Sequence, residues 1–155
     1  MTYRIRGLPA ERFERYFAMS DDELRTHRAR RMIADDERGF PCRVSLRDAE
    51  IGEEMLLLHF VHNDVETPYR SAFAIFVSKD ARQAVFEDRF PPVFRDRYLS
   101  MRAFDAEGNL VCAKLAMQNE ADQTLRTMLV DPAIDHIDAH NAAYGCFAAR
   151  IERSG

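Results

Sequence analysis

Two cysteines, Cys42 and Cys146, and one histidine, His140, could form a thiol nucleophile with its base. Cys42 stands beside Arg43, and a fixed cation near a thiol favours the reactive thiolate. A hairpin over the last part of the chain would bring His140 next to Cys146, with Asn141 available to orient the imidazole ring. One interpretation is therefore a thiol-dependent enzyme that uses Cys42 or Cys146 with His140 as base. The alternative is that both thiols are buried and unreactive, while His140 and Asn141 close a turn.

Arginines within predicted strands form a second group of candidates. Lys79 and Lys114 are the only lysines among 22 basic residues, and the planar guanidinium of arginine can hold a carboxylate or phosphate in two places. A charged residue among apolar neighbours needs an opposite charge, supplied either by internal carboxylates such as Glu54 or Asp138 or by a bound anion. The leading hypothesis is a small domain that binds a small anionic molecule. Its predicted binding residues are Arg43, Tyr69, Arg70, Arg102, Asn141 and Arg150.

The segment His136-Ile137-Asp138-Ala139-His140 alternates polar and apolar residues. In a strand, this alternation places both histidines and the aspartate on one face. Imidazole and carboxylate groups can bind a divalent metal, but three such positions span roughly 13 Å, too far for one ion without a bulge. We therefore expect a solvated outer face, and we predict neither a metal nor a cofactor.

Composition excludes several classes of protein. The chain has 155 residues with a net charge of -4, and it has no basic stripe with interleaved aromatics, so we expect no nucleic-acid partner. Its longest apolar runs, 55–58 and 72–77, are far shorter than the roughly 20 residues that span a bilayer. The first residues have no apolar signal-peptide segment, and three scattered cysteines do not form a disulfide framework. These features predict a cytoplasmic protein without a membrane partner.

The elements that must position these residues are mostly strands. Pro9 and the aromatic spacing after it predict a helix over 9–18, and Ser20 and Glu23 form a capping box that begins a second helix ending near His27. A third helix is predicted over 120–129. Branched and aromatic residues between turn signals predict strands at 30–34, 43–46, 54–61, 70–77, 98–104, 110–117, 134–140 and 146–152.

Few helices separate these strands, so antiparallel pairing is favoured. Hairpins are predicted for 98–117, around the Gly108 loop, and for 134–152. The run 72–77 is apolar at every position and is assigned to the centre of the sheet. We predict a single α+β domain over residues 1–155, with a mainly antiparallel sheet of about seven or eight strands, two N-terminal helices and one C-terminal helix. A third interpretation of its function is a non-catalytic subunit that forms a homodimer through an exposed strand edge.

Several short motifs, taken in order, resemble the domain-of-unknown-function 1203 family over nearly the whole chain. They are Pro41-Cys42-Arg43, Tyr69-Arg70 before an Ile-Phe-Val strand end, Arg102 ahead of Asp105-Ala106-Glu107-Gly108, and His140-Asn141-Ala142 with Gly145-Cys146-Phe147-Ala148-Ala149-Arg150. This chain has Phe73-Ala74 where that family is expected to have Gly-Pro. The resemblance implies an intracellular bacterial protein and transfers no activity.

Overall fold

The computed structural model describes residues 1–117 and 119–155, and in these ranges it contains nine strands and three α-helices. The strands are β1 (Tyr3–Arg6), β2 (Ala29–Ile33), β3 (Glu54–Asn63), β4 (Ser71–Ser78), β5 (Val85–Glu87), β6 (Leu99–Phe104), β7 (Leu110–Ala116), β8 (His136–Asn141) and β9 (Phe147–Arg153). The helices are α1 (Glu14–Phe17), α2 (Asp21–Thr26) and α3 (Ala121–Met128). The α+β class and the antiparallel pairing are confirmed.

The strands divide between two sheets, where the sequence predicted one. A six-stranded sheet has the order β5-β1-β9-β8-β6-β7, and a three-stranded sheet has the order β2-β3-β4. The two predicted hairpins, β6–β7 and β8–β9, are both present in the large sheet. The sequence analysis missed β1 and β5, although Tyr3 and Ile5 alternate with arginines as in a half-buried strand.

Each sheet has its own buried core. Side chains from one face of the large sheet, including Met101, Ile137 and Ile151, pack with Leu125 and Met128 of α3. Residues of β3 and β4 pack with Phe13 and Leu24 from the N-terminal helices in the second core. The predicted capping box is present: the Ser20 hydroxyl accepts from the Glu23 backbone N–H, and the Glu23 carboxylate accepts from the Ser20 N–H. None of the described helices is long and apolar enough to cross a membrane.

Two glycines allow close contacts between chain segments that border the two sheets. A Cβ on Gly7, just after β1, would lie 1.9 Å from the carbonyl oxygen of Val44, so a side chain at this position would force the backbones apart. The Leu8 N–H donates to the Arg43 carbonyl at 2.8 Å here. Gly108 has φ +90°, and its Cβ would lie 2.6 Å from Val65. The segment that carries Arg43 is hydrogen-bonded to Leu8, after β1, on one side and to Phe76 of β4 on the other, so it lies between the two sheets.

Three local predictions were wrong. Residues 43–46 form a tight turn, closed by a hydrogen bond from the Leu46 N–H to the Cys42 carbonyl, and Leu46 has a φ of 54° that a strand does not allow. The run 72–77 belongs to an outer strand, because β3 occupies the middle of the small sheet and leaves Phe73 49% exposed. The helix predicted over 9–18 is divided into a 3₁₀ turn, Ala10–Arg12, and α1.

The alternation in β8 was interpreted correctly, but its environment was not. Asp138 pairs with Arg102 on one side and Arg150 on the other, so the polar side chains of β6, β8 and β9 share one face of the large sheet. We call this the polar face; it comprises Ser100, Arg102, His136, Asp138, His140 and Arg150. All six residues of β8 are buried. Ile137 and Ala139 belong to the core with α3, and His62 and Tyr69, from the end of β3 and the loop after it, pack against the polar face.

Candidate functional site

The tight turn after Pro41 places the Arg43 side chain in the interior. The Cys42 N–H donates to the Arg47 carbonyl, and the Arg43 N–H donates to the carbonyl of Phe76 in β4. The bond to Phe76 holds the turn against the edge of the small sheet that β4 forms. The guanidinium then extends toward the large sheet, where its Nε donates to the Phe147 carbonyl at 2.7 Å.

Arg43 is the most unusual charge in the structure. It is 3% exposed, and among the described residues no carboxylate lies within the 4.0 Å of an ion pair. Its hydrogen-bond acceptors are the backbone carbonyls of Phe147 and Pro41. Burial lowers the pKa of the guanidinium below its ordinary value, and the nearby sulfurs of Cys146 and Cys42 partly oppose that shift. A buried cation without an acid is costly.

The Arg43 side chain lines a cavity of about 490 Å³. The last residue of β8, Asn141, and Cys146 from the turn after it contribute to the wall, with the Asn141 Nδ2 3.4 Å from the Cys146 Sγ. The Asn141 Oδ1 is buried and has no hydrogen-bond partner in residues 1–117 and 119–155, although buried polar atoms are normally paired. Apolar and aromatic side chains make up much of the remaining wall: Leu57, Phe73, Phe76, Tyr98 and Tyr144.

Two other arginines line the same cavity, and each has an acid. Arg97 binds Asp48 with both terminal nitrogens, at 2.6 and 3.2 Å, and Arg38 pairs with Asp96 at 3.0 Å. These ion pairs leave Arg43 as the cation of the cavity that lacks a carboxylate partner among the described residues.

Cys42 lies outside this cavity, in the core under the small sheet. It is 0% exposed, and its sulfur is 3.3 Å from the Ser78 N–H and 3.5 Å from the Ser45 N–H. Burial alone would raise the pKa of this thiol, but the hydrogen bonds from Ser45 and Ser78 outweigh it and lower the pKa. The described residues enclose the thiol fully, so a substrate could reach it only if the core opened.

Among the described residues, the His140 ring makes no hydrogen bond to a cysteine sulfur. Its Nδ1 is 3.0 Å from the Gly145 carbonyl, and its ring meets His62 edge-on at 4.9 Å between centroids. The His62 ring in turn stacks on Phe147. Burial lowers the pKa of His140, and burial together with His140 lowers the pKa of His62 to about 4. Since His140 and Asn141 are successive strand residues, their side chains point to opposite sides of the sheet.

The remaining predicted arginines have partners of their own. Arg150 binds Asp138 through two hydrogen bonds of 2.8 and 3.0 Å, and Asp138 is 0% exposed. Arg102, half-buried on the polar face, donates from Nε to the Ser100 hydroxyl at 3.2 Å. These contacts are typical of charges that hold a fold together.

Tyr69 and Arg70 lie in the loop before β4, away from the Arg43 cavity. Arg70 is exposed and pairs with Asp64 at 3.2 Å, and the Tyr69 ring meets Phe104 edge-on. The convergence expected from the sequence is therefore partial. Arg43, Asn141 and Cys146 share one cavity, whereas the other predicted residues lie on the polar face, in the core or in this loop.

The sequence analysis did not identify Tyr98, Tyr144 or His62 as part of any site. Tyr98 and Tyr144 are 54% and 82% exposed at the cavity wall, and exposed aromatics beside turns are a signal that could have suggested them. His62 had no such signal, because its neighbours come from a distant part of the chain. No group of three potential metal ligands is assembled within residues 1–117 and 119–155.

The architecture and the cavity together define a small α+β protein whose main candidate site contains a buried arginine with no carboxylate partner among the described residues. A family model described as "Protein of unknown function (DUF1203)" matches residues 39–153. The chain belongs to this family, as the short motifs of the sequence indicated. No curated protein and no solved structure matches it.

Proposed function

We propose that this protein binds a small anionic molecule in the cavity around Arg43. The observation that carries this proposal is a guanidinium 3% exposed, at a cavity wall, without a carboxylate partner in the part of the chain that the structure describes. Taking a cation out of water costs several kcal/mol unless an opposite charge is near. An anion in the cavity would supply that charge in a place where water screens it little.

The cavity has the size and lining of a small-molecule site. Its volume of about 490 Å³ falls within the roughly 300–1,000 Å³ of typical ligand pockets. Leu57 and Phe76 offer apolar surface, and the guanidinium offers fixed donors suited to carboxylate or phosphate oxygens.

Asn141 narrows the chemistry of the ligand. Its side chain lines the cavity, and its buried Oδ1, which has no hydrogen-bond partner among the described residues, would accept from a ligand's O–H or N–H group after a small rotation of the amide. A hydroxy acid or an amino acid has both groups. We therefore expect glycolate to bind more tightly than acetate, which has no such donor.

Basic side chains line a groove that adjoins this cavity. Leu57 and Ala74 line both the cavity and a wide neighbouring groove that also contains Arg28 and Arg30. Neither arginine forms an ion pair within the described residues. Their field would raise the local concentration of an anion and make binding faster at low salt.

Thermal unfolding with different anions tests the proposal. At constant ionic strength, glycolate, acetate or phosphate should raise the Tm above that in chloride, by an amount equivalent to about 2.7 kcal/mol when the anion is at 100 times its Kd. Arg43→Gln should abolish the increase and Arg43→Lys should reduce it. Arg70→Gln is the matched control, because Arg70 is exposed and outside the cavity. Equal anion effects in the wild type and in Arg43→Gln would refute the proposal.

A further inference from the structure

Cys146 is the thiol that the fold places in the Arg43 cavity. It is 8% exposed and contributes to the cavity wall, whereas Cys42 is enclosed at 0%. The third cysteine, Cys112, is half-buried in β7. All three thiols are free of disulfides.

The groups around Cys146 point to a ligand. The Asn141 Nδ2 is 3.4 Å from its sulfur, and the Oδ1 of the same amide, buried and unpaired, belongs to a side chain 7% exposed on the cavity wall. The Arg43 guanidinium is near enough for its charge to interact with the sulfur. A thiol, a buried amide and a buried cation therefore surround the same space.

We propose that Cys146 is a nucleophile that forms a covalent bond with a small electrophilic acid whose carboxylate is held by Arg43. This inference rests on the proposed function and names its substrate class. Arg43 would fix the carboxylate, which brings the carbon next to it toward the Cys146 sulfur. Holding the reacting atoms in this way favours attack at that carbon over attack elsewhere.

The reaction is a substitution at carbon. The sulfur attacks the electrophilic carbon and a sulfur–carbon bond forms, while the bond from that carbon to its leaving group breaks. The leaving group departs with the electron pair of the broken bond, and the thiol proton passes to solvent at the mouth of the cavity. Nothing is oxidised or reduced by an external reagent, so no further reactant is required.

A pair of alkylating reagents that differ in charge tests this chemistry. Iodoacetate and iodoacetamide both transfer a carbon to a thiol and release iodide, but only iodoacetate carries a carboxylate. The rate of labelling at each cysteine can be followed by peptide mass mapping in the folded protein. We expect the iodoacetate-to-iodoacetamide rate ratio to be about tenfold higher at Cys146 than at Cys112, because a charge-assisted hydrogen bond to Arg43 favours the anionic reagent.

Variants separate the roles of the residues. Arg43→Gln should lower the rate ratio at Cys146 to that of Cys112 while iodoacetamide still labels Cys146. Cys146→Ser should remove that label altogether, and Arg70→Gln should change neither rate. If Arg43→Gln fails to fold, glycolate on the wild type provides the same information, since it should slow iodoacetate labelling at Cys146 but not at Cys112.

The outcomes distinguish this inference from the proposed function. If anions raise the Tm through Arg43 but neither reagent labels Cys146 in the folded protein, the nucleophile is refuted and the binding function stands. If Cys146 is labelled with the same rate ratio as Cys112 and no anion raises the Tm, both proposals are refuted. A high ratio that depends on Arg43 supports both.

Discussion

Arg150, whose side chain is 35% exposed, and Arg43, which is buried, are two arginines that contact the large sheet and differ in their partners. Arg150 binds the fully buried Asp138 through two hydrogen bonds. Arg43 donates to backbone carbonyls, and the described residues offer it no carboxylate. The fully buried carboxylate of Asp138 accounts for Arg150 within the fold. The lack of a carboxylate at Arg43, in the part of the chain that the structure describes, is the observation on which the proposed anion site rests.

The largest expected effect comes from breaking the Arg150 pair. Arg150→Met leaves Asp138 as a buried charge without its cation, so the free energy of unfolding should fall by roughly 3–5 kcal/mol. Chemical denaturation measures this loss. Arg43→Met leaves no buried carboxylate behind, so its loss of stability should be smaller.

These two substitutions should also differ in how anions affect them. Arg150→Met should retain the anion-dependent rise in Tm, because Arg150 lies outside the Arg43 cavity. Arg43→Met should lose it. A larger loss of stability in Arg43→Met than in Arg150→Met would mean that Arg43 is chiefly structural. It would contradict the distinction between an arginine that stabilises the fold and one that binds an anion.

An intermediate effect is expected from His62, which packs against the Arg150 side of the sheet. Its pKa falls from the ordinary 6.5 to about 4, because burial and His140 disfavour the charged ring, with Arg102 and Arg150 adding to this and Asp138 opposing it. Between these two pH values the unfolded chain binds more protons than the folded protein, so stability rises with pH. The contribution is present above pH 6.5 and is lost as the pH falls toward 4.

Replacing His62 by phenylalanine removes this titration while keeping an aromatic ring beside Phe147. Between pH 7 and pH 4, His62→Phe should lose less stability than the wild type, by on the order of 3 kcal/mol. Denaturation curves over this range provide the measurement. His59→Gln, an exposed change on the same strand, is the control, and equal pH profiles for His62→Phe and the wild type would contradict the prediction.

The smallest effect is expected from the exposed pair of Arg70 and Asp64. Their side chains are 56% and 77% exposed, and such surface ion pairs contribute about 0–1 kcal/mol because water and salt screen them. Arg70→Gln should therefore change the free energy of unfolding by less than about 1 kcal/mol in denaturation experiments. A loss similar to that of Arg150→Met would show that solvent exposure does not determine how much these arginines contribute to the free energy of unfolding.

Local signals predicted many elements well. The capping box at Ser20 begins α2 as expected, and both hairpins form where turn residues separate two strand patterns. The turn at 43–46 was missed because its alternating residues resemble a strand. The hydrogen bonds that hold the turn are made within its own backbone and to the carbonyl of Phe76 in β4, which is distant in sequence. The exposed position of Phe73 depends on which strand takes the middle of the small sheet, and composition carries no information on that order.

The candidate site was identified only in part for the same reason. Residue type named Arg43, Asn141 and Cys146 as candidates, and the structure brings these three to one cavity. Arg70 and Arg150 were named on the same ground, but they have carboxylate partners elsewhere. What distinguishes these arginines is the presence of a carboxylate within a few ångströms. Asp138 is 12 residues from Arg150, and that separation in sequence does not reveal an ion pair.

By itself, the sequence determined the α+β class, the antiparallel hairpins, the family and the residue types able to hold an anion or attack an electrophile. Periodicity, capping and turn chemistry act over a few residues, so they can be interpreted without the fold. Only the tertiary structure decided that Arg43 lies beside Cys146 and Asn141 in one cavity while Arg150 is neutralised by Asp138. Burial and charge pairing depend on distances between chain segments, and those distances exist only once the two sheets have packed together.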